Sequence, residues 1–428
     1  MIKLLMISDD FTGALDTGIQ FAQYGANTKI ITTSNWDENL FEDNSAEVLV
    51  IDAQTRHLSG EEAYKKVYNL AKNAVSAGVP HIYKKTDSGL RGNIGSELKA
   101  LLDASGESFL PFIPAYPQMN RITMKGRHYI DGQPIDESVF GRDPFEPVAS
   151  SEVKDLFEKE NTRVEILELN ETYDLDFDTP AIGIFDAESE EDMQRIAEYL
   201  NQKKHLRIMA GCAGLAYFLP ELLEFKKRQI TIPRLTGPLF VMCGSVNPIS
   251  QEQIEYAQEQ GFGRIMLKSI QMFEPDYLSS ENGYRWMESI EDLFTKHPVV
   301  MLDTGSEDLE PINNQGERTK NILHDTRIKI ASGLGGIVKK LLEINRNHTL
   351  MIIGGDTLLG FFNQIQCSEV FPVCELDTGT VLSYINYENQ KLWIISKSGG
   401  FGSRELIYEI VRKLNLEGGV LCQNNICS

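Results

Sequence analysis

The feature that most constrains this chain is the regular alternation of short apolar runs with amphipathic helical patterns. Helical patterns at residues 61–75, 193–201 and 404–414 follow runs that are rich in β-forming residues. Strands that alternate with helices favour parallel sheets covered by helices. We therefore predict an α/β protein of two domains, each a mainly parallel sheet flanked by helices. The predicted strands are residues 2–7, 28–32, 48–52, 81–84, 181–185, 206–209, 239–243, 299–302, 349–353 and 392–395.

Two segments interrupt this alternation. Residues 229–238 carry two prolines, contain few helix formers and precede a predicted strand, which is typical of a domain boundary. Since 428 residues are long for one domain, we expect domains at residues 1–232 and 233–428. Residues 109–150 are rich in Pro, Gly and Asp and weakly periodic. We interpret them as a functional loop or a small subdomain.

Charge and cysteine usage exclude several classes of protein. The chain has 41 basic and 62 acidic residues, a net charge of −21, which argues against binding to nucleic acid or an anionic membrane. No apolar run is long enough for a transmembrane helix, and the apolar start is too short for a signal peptide. The six cysteines form no C-x-x-C pair, so we expect no disulfide framework, no zinc site and a cytoplasmic location. We leave open whether the chain forms a homodimer.

The turn at residues 84–93 carries most of the chemical information. It connects a predicted strand to a helical pattern and holds far more charged and polar groups than a connecting turn needs. Backbone N–H groups that open a helix favour an anion, so the turn predicts a pocket for a small, polar, negatively charged ligand. The polar residues of this turn that we assign to binding are Lys85, Thr86, Asp87, Ser88 and Arg91.

Charged residues also follow two other predicted strands. Asp9 and Asp10 come after the first strand, where open α/β sheets bind ligands, and either can act as a general base or bind a hydroxyl or a metal. Alternatively, Asp10 only caps the next helix. Arg56 follows the strand at residues 48–52, and we leave open whether it binds the ligand or lies on the solvated surface.

Glycine pairs mark two further strand-to-helix junctions, at Gly354-Gly355 and at Gly399-Gly400. Adjacent glycines allow backbone N–H groups to surround a phosphate. Two such turns in one domain indicate a nucleotide site, although neither a P-loop nor an early G-x-G-x-x-G is present. The residues that we assign to this site are Ser245, Gly354, Gly355, Asp356, Thr357, Lys397, Gly399 and Gly400.

Small residues at two other places have a simpler interpretation. Gly333, Gly335 and Gly336 lie within a helical pattern, where we expect them to permit close helix packing. Cys212 lies in a stretch of small residues between a predicted strand and a helix. We expect packing there rather than a nucleophile.

Taken together, these motifs resemble the four-carbon acid sugar kinases over nearly the whole chain. The stretches that carry the resemblance are residues 9–14, 85–88, 90–93, 114–117, 121–123, 126–129, Asp143-Pro144, 244–245, 354–357 and 397–402. The resemblance implies an N-terminal domain for the acid sugar and a C-terminal domain for ATP. Phosphoryl transfer needs charge neutralisation, which implies Mg²⁺ as a cofactor. Gly89 and Cys212 stand where a small hydroxyl residue is expected in relatives.

The resemblance and the residues together predict a mechanism. We expect an ATP-dependent kinase that phosphorylates the terminal (4-) hydroxyl of erythronate, threonate or 3-oxo-tetronate. Asp87 or Asp10 would accept the proton of the attacking hydroxyl, Asp9 would help to bind the sugar, and Asp356 would bind Mg²⁺. The alternatives are a non-catalytic regulator that binds nucleotide or sugar acid, and a doubly wound oxidoreductase.

Overall fold

The computed structural model divides the chain into two compact units. One comprises Met1–Ile230 and Glu369–Pro372, and the other comprises Thr231–Ser368 and Val373–Ser428. The division after Ile230 lies within residues 229–238, and the short return of the chain at residues 369–372 was not expected from the sequence. The described residues are 1–32, 40–41, 45–143, 146–170, 172–173, 175, 177–232, 234–235, 237–274, 276–305 and 318–416, with the backbone alone for 318–325. Pro144, Cys422 and Cys427 lie outside them.

The first unit is built on a parallel sheet with the strand order β2-β3-β1-β4-β11-β5-β10-β9. Residues Glu369 and Val370 pair antiparallel with β2 at one edge. Strands β1 and β3 are buried along their whole length, as expected for strands covered on both faces. The strands of this unit are β1 Leu4–Ser8, β2 Thr28–Ile31, β3 Val48–Asp52, β4 His81–Lys85, β5 Phe109–Ile113, β6 Arg121–Met124, β7 Arg127–Ile130, β8 Gln133–Pro134, β9 Arg163–Leu167, β10 Ala181–Phe185 and β11 Ile208–Gly211.

The helices of the first unit begin where the sequence supplies side-chain caps. Ser59 forms a capping box with Glu62 at the start of α2, and Ser189 forms one with Asp192 at the start of α4. Helix α1 ends at Gly25, whose φ of 109° suits glycine. The helices are α1 Phe11–Tyr24, α2 Gly60–Ser76, α3 Ile94–Ser105, α4 Glu190–Gln202, α5 Ala213–Ala216 and α6 Leu219–Leu222.

The segment at residues 109–150 agrees only in part with the expected functional loop or small subdomain. Its first part, β5, is a fully buried strand between β10 and β11 rather than a loop. Proline removes a backbone donor. Pro111 is paired with Gly183 of β10, whereas the pairing of β5 with β11 includes only Phe112 and Ile113. The strand therefore accepts a proline that made it unrecognisable in the sequence. The rest includes a small antiparallel sheet of β6, β7 and β8.

The second unit also has a mainly parallel sheet. Its strand order is β13-β14-β12-β15-β18-β17-β16, parallel from β13 to β18, with β17 antiparallel to β18. The sequence did not predict β13, β16 or β17. The first four residues of β16 belong to the first unit. The strands are β12 Leu239–Cys243, β13 Gly263–Met266, β14 Val299–Asp303, β15 Thr349–Ile353, β16 Glu369–Asp377, β17 Thr380–Tyr387 and β18 Gln390–Lys397.

Close helix packing in the second unit depends on glycine. A side chain at Gly335 of α10 would lie 2.5 Å from the backbone of Gly360 in α11, which confirms the expected packing role. Within the described part of the chain, no helix combines the length and apolarity that a membrane crossing requires. The helices are α7 Pro248–Glu259, α8 Ser269–Phe273, α9 Glu281–Phe294, α10 Arg318–Ile344, α11 Gly355–Gln364 and α12 Leu406–Lys413.

Candidate functional site

Three neighbouring strands of the first unit end at one edge of the sheet. In the parallel register, Ser8 of β1 lies opposite both Asp52 of β3 and Lys85 of β4. The residues that follow each strand therefore meet at the carboxyl edge, where open α/β sheets bind ligands. The predicted ligand-binding residues that gather there are Asp9, Asp10, Arg56, Lys85, Thr86, Asp87, Ser88 and Arg91.

Arg56 is the centre of this cluster. Its guanidinium lies 2.6 Å from Asp9 Oδ2, 2.7 Å from Asp10 Oδ2 and 3.5 Å from Asp87 Oδ1. The side chain is only 10% exposed, so the surface interpretation of Arg56 is wrong. Burial alone would lower the pKa of Arg56, but Asp10, Asp9 and Asp87 raise it well above its ordinary value. The arginine stays charged and holds three carboxylates together.

Asp10 caps the next helix, as one of the two interpretations expected, and it also forms an ion pair at the site. Its Oδ1 accepts a hydrogen bond of 2.8 Å from the backbone N–H of Gly13, so it caps α1. Its Oδ2 contacts Arg56. The side chain is 26% exposed, which makes it the most accessible of the three clustered carboxylates.

Asp9 is almost fully buried and lies 3.5 Å from Lys85 Nζ through Oδ1, an oxygen without a hydrogen-bond partner. Burial tends to raise the pKa of Asp9, but Arg56 and Lys85 lower it below its usual value. Thr86 is completely buried, and its Oγ1 also has no hydrogen-bond partner. Their position within the charged cluster makes these two atoms candidates for hydrogen bonds to a polar ligand.

Asp87 is held by arginine on nearly every side. Arg91 donates from Nε to Oδ2 (2.8 Å), from Nη2 to Oδ1 (3.2 Å) and from its backbone N–H to Oδ2 (3.2 Å). Despite burial, which opposes the charge, Arg56 and Arg91 hold the pKa of Asp87 far below its usual range. A carboxylate stabilised in this way is a weak proton acceptor.

Residues that the sequence analysis did not assign to the site complete it. Arg121 at the start of β6 donates from Nη1 to Ser88 Oγ, and His128 of β7 lies with Nε2 3.2 Å from the Ser88 carbonyl. Phe140 packs its ring against the guanidinium groups of both Arg91 and Arg121, with 5.1 Å and 5.2 Å to the ring centroid. The density of aromatic and polar residues in the segment at 109–150 was the available signal.

Gly89 makes room for this packing. A Cβ atom at residue 89 would lie 2.4 Å from the Phe140 ring, which is closer than such contacts allow. Cys212 is buried with its Sγ 3.2 Å from the Ala115 carbonyl, in agreement with the expected packing role. The described cysteines, Cys212, Cys243, Cys367 and Cys374, form no disulfide.

In the second unit, three turns meet at the carboxyl ends of β12, β15 and β18. The backbone N–H of Gly244 donates to the Ile353 carbonyl (3.1 Å), and that of Gly354 donates to the Lys397 carbonyl (2.9 Å). A side chain at Gly244 would lie 2.1 Å from Thr357 Oγ1. The turns after the three strands therefore form one cluster.

The turns after β12 and β18 also approach each other closely at Ser245. A side chain at Gly399 would lie 2.3 Å from Ser245 Oγ. Left-handed backbone occurs at Gly354, with φ 110°, and at Gly402, with φ 88°. Gly355 already begins α11, and neither Gly355 nor Gly400 has a positive φ.

Lys397 and Asp356 are the charged groups beside these turns. Lys397 is buried, donates from Nζ to the Ser398 carbonyl (2.9 Å), and has its pKa lowered to about 8 by burial. Asp356 lies in the first turn of α11, with its side chain 54% exposed and Oδ2 3.3 Å from Arg327 Nε. Among the described residues, no three His, Cys, Asp or Glu side chains form a metal cage.

Comparisons with known proteins fit these two sites. A family model described as a sugar-binding N-terminal domain matches residues 4–219, and one described as a nucleotide-binding C-terminal domain matches residues 240–407. A crystal structure of a protein from Salmonella typhimurium superimposes with a TM-score of 0.74 at 20% identity, covering 96% of this chain and 100% of that one. That likeness shows the fold.

Curated relatives cover nearly the whole chain. A D-threonate kinase from Salmonella typhimurium is 28% identical, covering 94% of this chain and 96% of that protein. A D-erythronate kinase from Heliobacterium modesticaldum is 25% identical, covering 86% and 87%. A 3-oxo-tetronate kinase from Cupriavidus necator is 23% identical, covering 95% and 96%.

A sugar-binding domain followed by a nucleotide-binding domain, in a chain whose curated relatives are kinases, indicates a two-domain α/β kinase. The chain belongs to the four-carbon acid sugar kinase family, and the resemblance found in the sequence is confirmed. It is therefore a phosphotransferase rather than an oxidoreductase or a non-catalytic regulator.

Proposed function

We propose that this protein transfers the γ-phosphoryl group of ATP to the terminal (4-) hydroxyl of a four-carbon sugar acid. The observation that carries the proposal is the buried cluster of Asp9, Asp10, Arg56, Lys85 and Asp87 at the carboxyl edge of the first sheet. Burying such a cluster costs desolvation free energy. Its charges surround polar atoms with which a small hydroxylated ligand would form hydrogen bonds.

The sugar hydroxyls have two natural partners in this cluster. Asp9 Oδ1 accepts no hydrogen bond from the protein, and Thr86 Oγ1 is buried without a partner. A hydroxyl that donates to Asp9 and another that exchanges a hydrogen bond with Thr86 would remove both unsatisfied atoms. Lys85 Nζ, 3.5 Å from Asp9 Oδ1, adds positive charge at the same place.

Asp10 is better suited than Asp87 to accept the proton of the attacking hydroxyl. It is accessible at 26% of its side-chain surface, whereas Asp87 is engaged by Arg91 through two side-chain donors and one backbone donor. We assign Asp10 as the general base and Asp87 as the residue that positions Arg56 and Arg91. This narrows the expectation from sequence, which allowed either residue.

The cluster of turns in the second unit supplies the nucleotide site of this proposal. Backbone N–H groups near Gly354, Gly355, Gly399 and Gly400 would surround the phosphates, because glycine permits close approach. The buried Lys397 would add charge. Ser245 and Thr357 contribute hydroxyl groups at the same turns; the three turns are in mutual contact, which supports a single phosphate-binding region.

Magnesium fits the chemistry of this region. Mg²⁺ takes one or two carboxylates together with phosphate oxygens and water, so it needs no cage of protein ligands. Asp356 has the required oxygen donor and would hold the ion, which would neutralise charge on the phosphates.

An ADP-release assay tests the proposed function. Purified protein would be given ATP, Mg²⁺ and each stereoisomer of erythronate and threonate, with 3-oxo-tetronate in parallel and five- and six-carbon sugar acids as controls. We expect turnover with at least one four-carbon acid and ³¹P NMR of the product to place phosphate on the 4-oxygen. Binding of tetronates without turnover, or turnover only with longer acids, would contradict the proposal.

A further inference from the structure

Among the described residues of the first-unit site, three cations form ion pairs with protein carboxylates. Arg56 and Lys85 form ion pairs with Asp9 and Asp10. Arg91 forms ion pairs with Asp87 and Asp143. A ligand carboxylate would have to compete with these partners for each of those cations.

Arg121 differs from them. Among the described residues, no carboxylate oxygen lies within ion-pair distance of its guanidinium, its Nη1 donates to Ser88 Oγ, and its Nε is buried with no hydrogen-bond partner. A guanidinium with unused donors is the group that best matches the two oxygens of a carboxylate.

The neighbours of Arg121 hold it rigidly without neutralising it. Phe140 lies 5.2 Å from its guanidinium carbon. The backbone of Arg121 is fixed by mutual hydrogen bonds with Tyr116, 2.7 Å and 3.1 Å long. Burial lowers the pKa of His128 to about 4, so this histidine is neutral and, through Nε2–H, donates to the Ser88 carbonyl.

We infer that Arg121, together with the hydroxyl of Ser88, binds the carboxylate of the sugar acid and selects acids over neutral sugars. The inference rests on the proposed function and deepens it, because it names the residues that would bind the carboxylate of the substrate. Ser88 directly follows Asp87, so a carboxylate bound here would leave the sugar hydroxyls to Asp9, Asp10 and Thr86.

The test compares Arg121→Gln with the wild type on a tetronate and on the matching neutral primary amide. Losing hydrogen bonds to a charged group costs about 10- to 100-fold in affinity. We therefore expect KM for the tetronate to rise by about that factor in Arg121→Gln while KM for the amide changes little. Calorimetric titration of the tetronate without ATP should show the same loss.

Two further variants keep the result interpretable. Arg127→Gln, an exposed arginine of β7 paired with Glu152, should behave as the wild type. Arg121→Lys, which keeps the charge but loses the planar fork, should fall between the wild type and Arg121→Gln and preserves the measurement if Arg121→Gln does not fold.

The outcomes separate the two claims. This inference would be overturned if folded Arg121→Gln or Arg121→Lys kept the wild-type preference for acid over amide, or if KM rose for ATP alone. The proposed function would still stand in either case. Absence of wild-type turnover with every tetronate would overturn the proposed function itself.

Discussion

Arg56 and Asp10 form a largely buried ion pair, with 2.7 Å between Nη1 and Oδ2, although 46 positions separate them in the chain (56 minus 10). The same guanidinium also contacts Asp9 and Asp87. One side chain thus joins the ends of β1, β3 and β4 at the site.

Arg56→Gln should destabilise the protein strongly. Removing one partner from a buried ionic cluster leaves charges uncompensated and typically costs about 3–5 kcal/mol. Urea unfolding of the variant should show a loss of that order, with kcat reduced as well. Arg285→Gln, whose side chain is 72% exposed and pairs with Glu281, is the matched control, and its loss should stay below about 1 kcal/mol. Equal stability of both variants would contradict the central role of Arg56.

Asp10→Asn and Asp87→Asn should fail in different ways. Asparagine keeps the helix cap at residue 10 but cannot accept a proton, so kcat should fall about 10²- to 10⁴-fold with sugar-acid affinity largely kept. Asp87→Asn should release Arg91 and Arg56 and raise KM together with a loss of stability. Steady-state kinetics and thermal unfolding of both variants distinguish the roles. If Asp10→Asn turns over within a few-fold of the wild type, Asp10 is not the base.

Asp52 should make stability depend on pH. Burial, and then the charge of Asp10, raise the pKa of Asp52 to about 7. Between about pH 4 and pH 7 the folded protein therefore binds a proton that the unfolded chain has released, so this group's contribution to stability falls as pH rises through that window.

Asp52→Asn should remove this dependence. Thermal unfolding between pH 5 and pH 8 should show a flatter profile than in the wild type, with the variant more stable at pH 8 by up to a few kcal/mol, roughly 1.4 kcal/mol for each unit of pKa shift. Asp178→Asn, at an exposed position, serves as the control. A wild-type profile in Asp52→Asn would mean that another group titrates there.

Gly400→Val should impair ATP binding without unfolding the protein. A Cβ at Gly400 would meet only Asn247 Nδ2, at an ordinary contact distance of 3.5 Å, so the fold has room for a side chain. Valine would nevertheless occupy the space beside the turn that we assign to phosphate, and KM for ATP should rise by about 10-fold or more. Gly400→Ala should show a smaller effect. Unchanged ATP kinetics in a folded Gly400→Val would remove this turn from the nucleotide site.

Sequence patterns predicted regular elements best where burial is uniform. The strands at residues 48–52, 181–185, 239–243 and 349–353 have the expected bounds, because a strand covered on both faces reads as a continuous apolar run. The prediction failed for β5, where Pro111 interrupts the run of β-forming residues; it pairs with Gly183 of β10, and the ladder with β11 begins after it. Pairing register is a property of the neighbouring strand, which local sequence does not contain.

By itself, the sequence determined the α/β class, the family and most of the side chains at the site, because strand-to-helix turns place polar residues at the carboxyl edge of a parallel sheet. The tertiary structure decided how those side chains share their charges. It buried Arg56 among three carboxylates, saturated Asp87 with Arg91, and brought Phe140 and Arg121 beside Ser88. Hydrogen bonds and ion pairs act over a few ångströms, so residues distant in the chain acquire roles only when the fold brings them together.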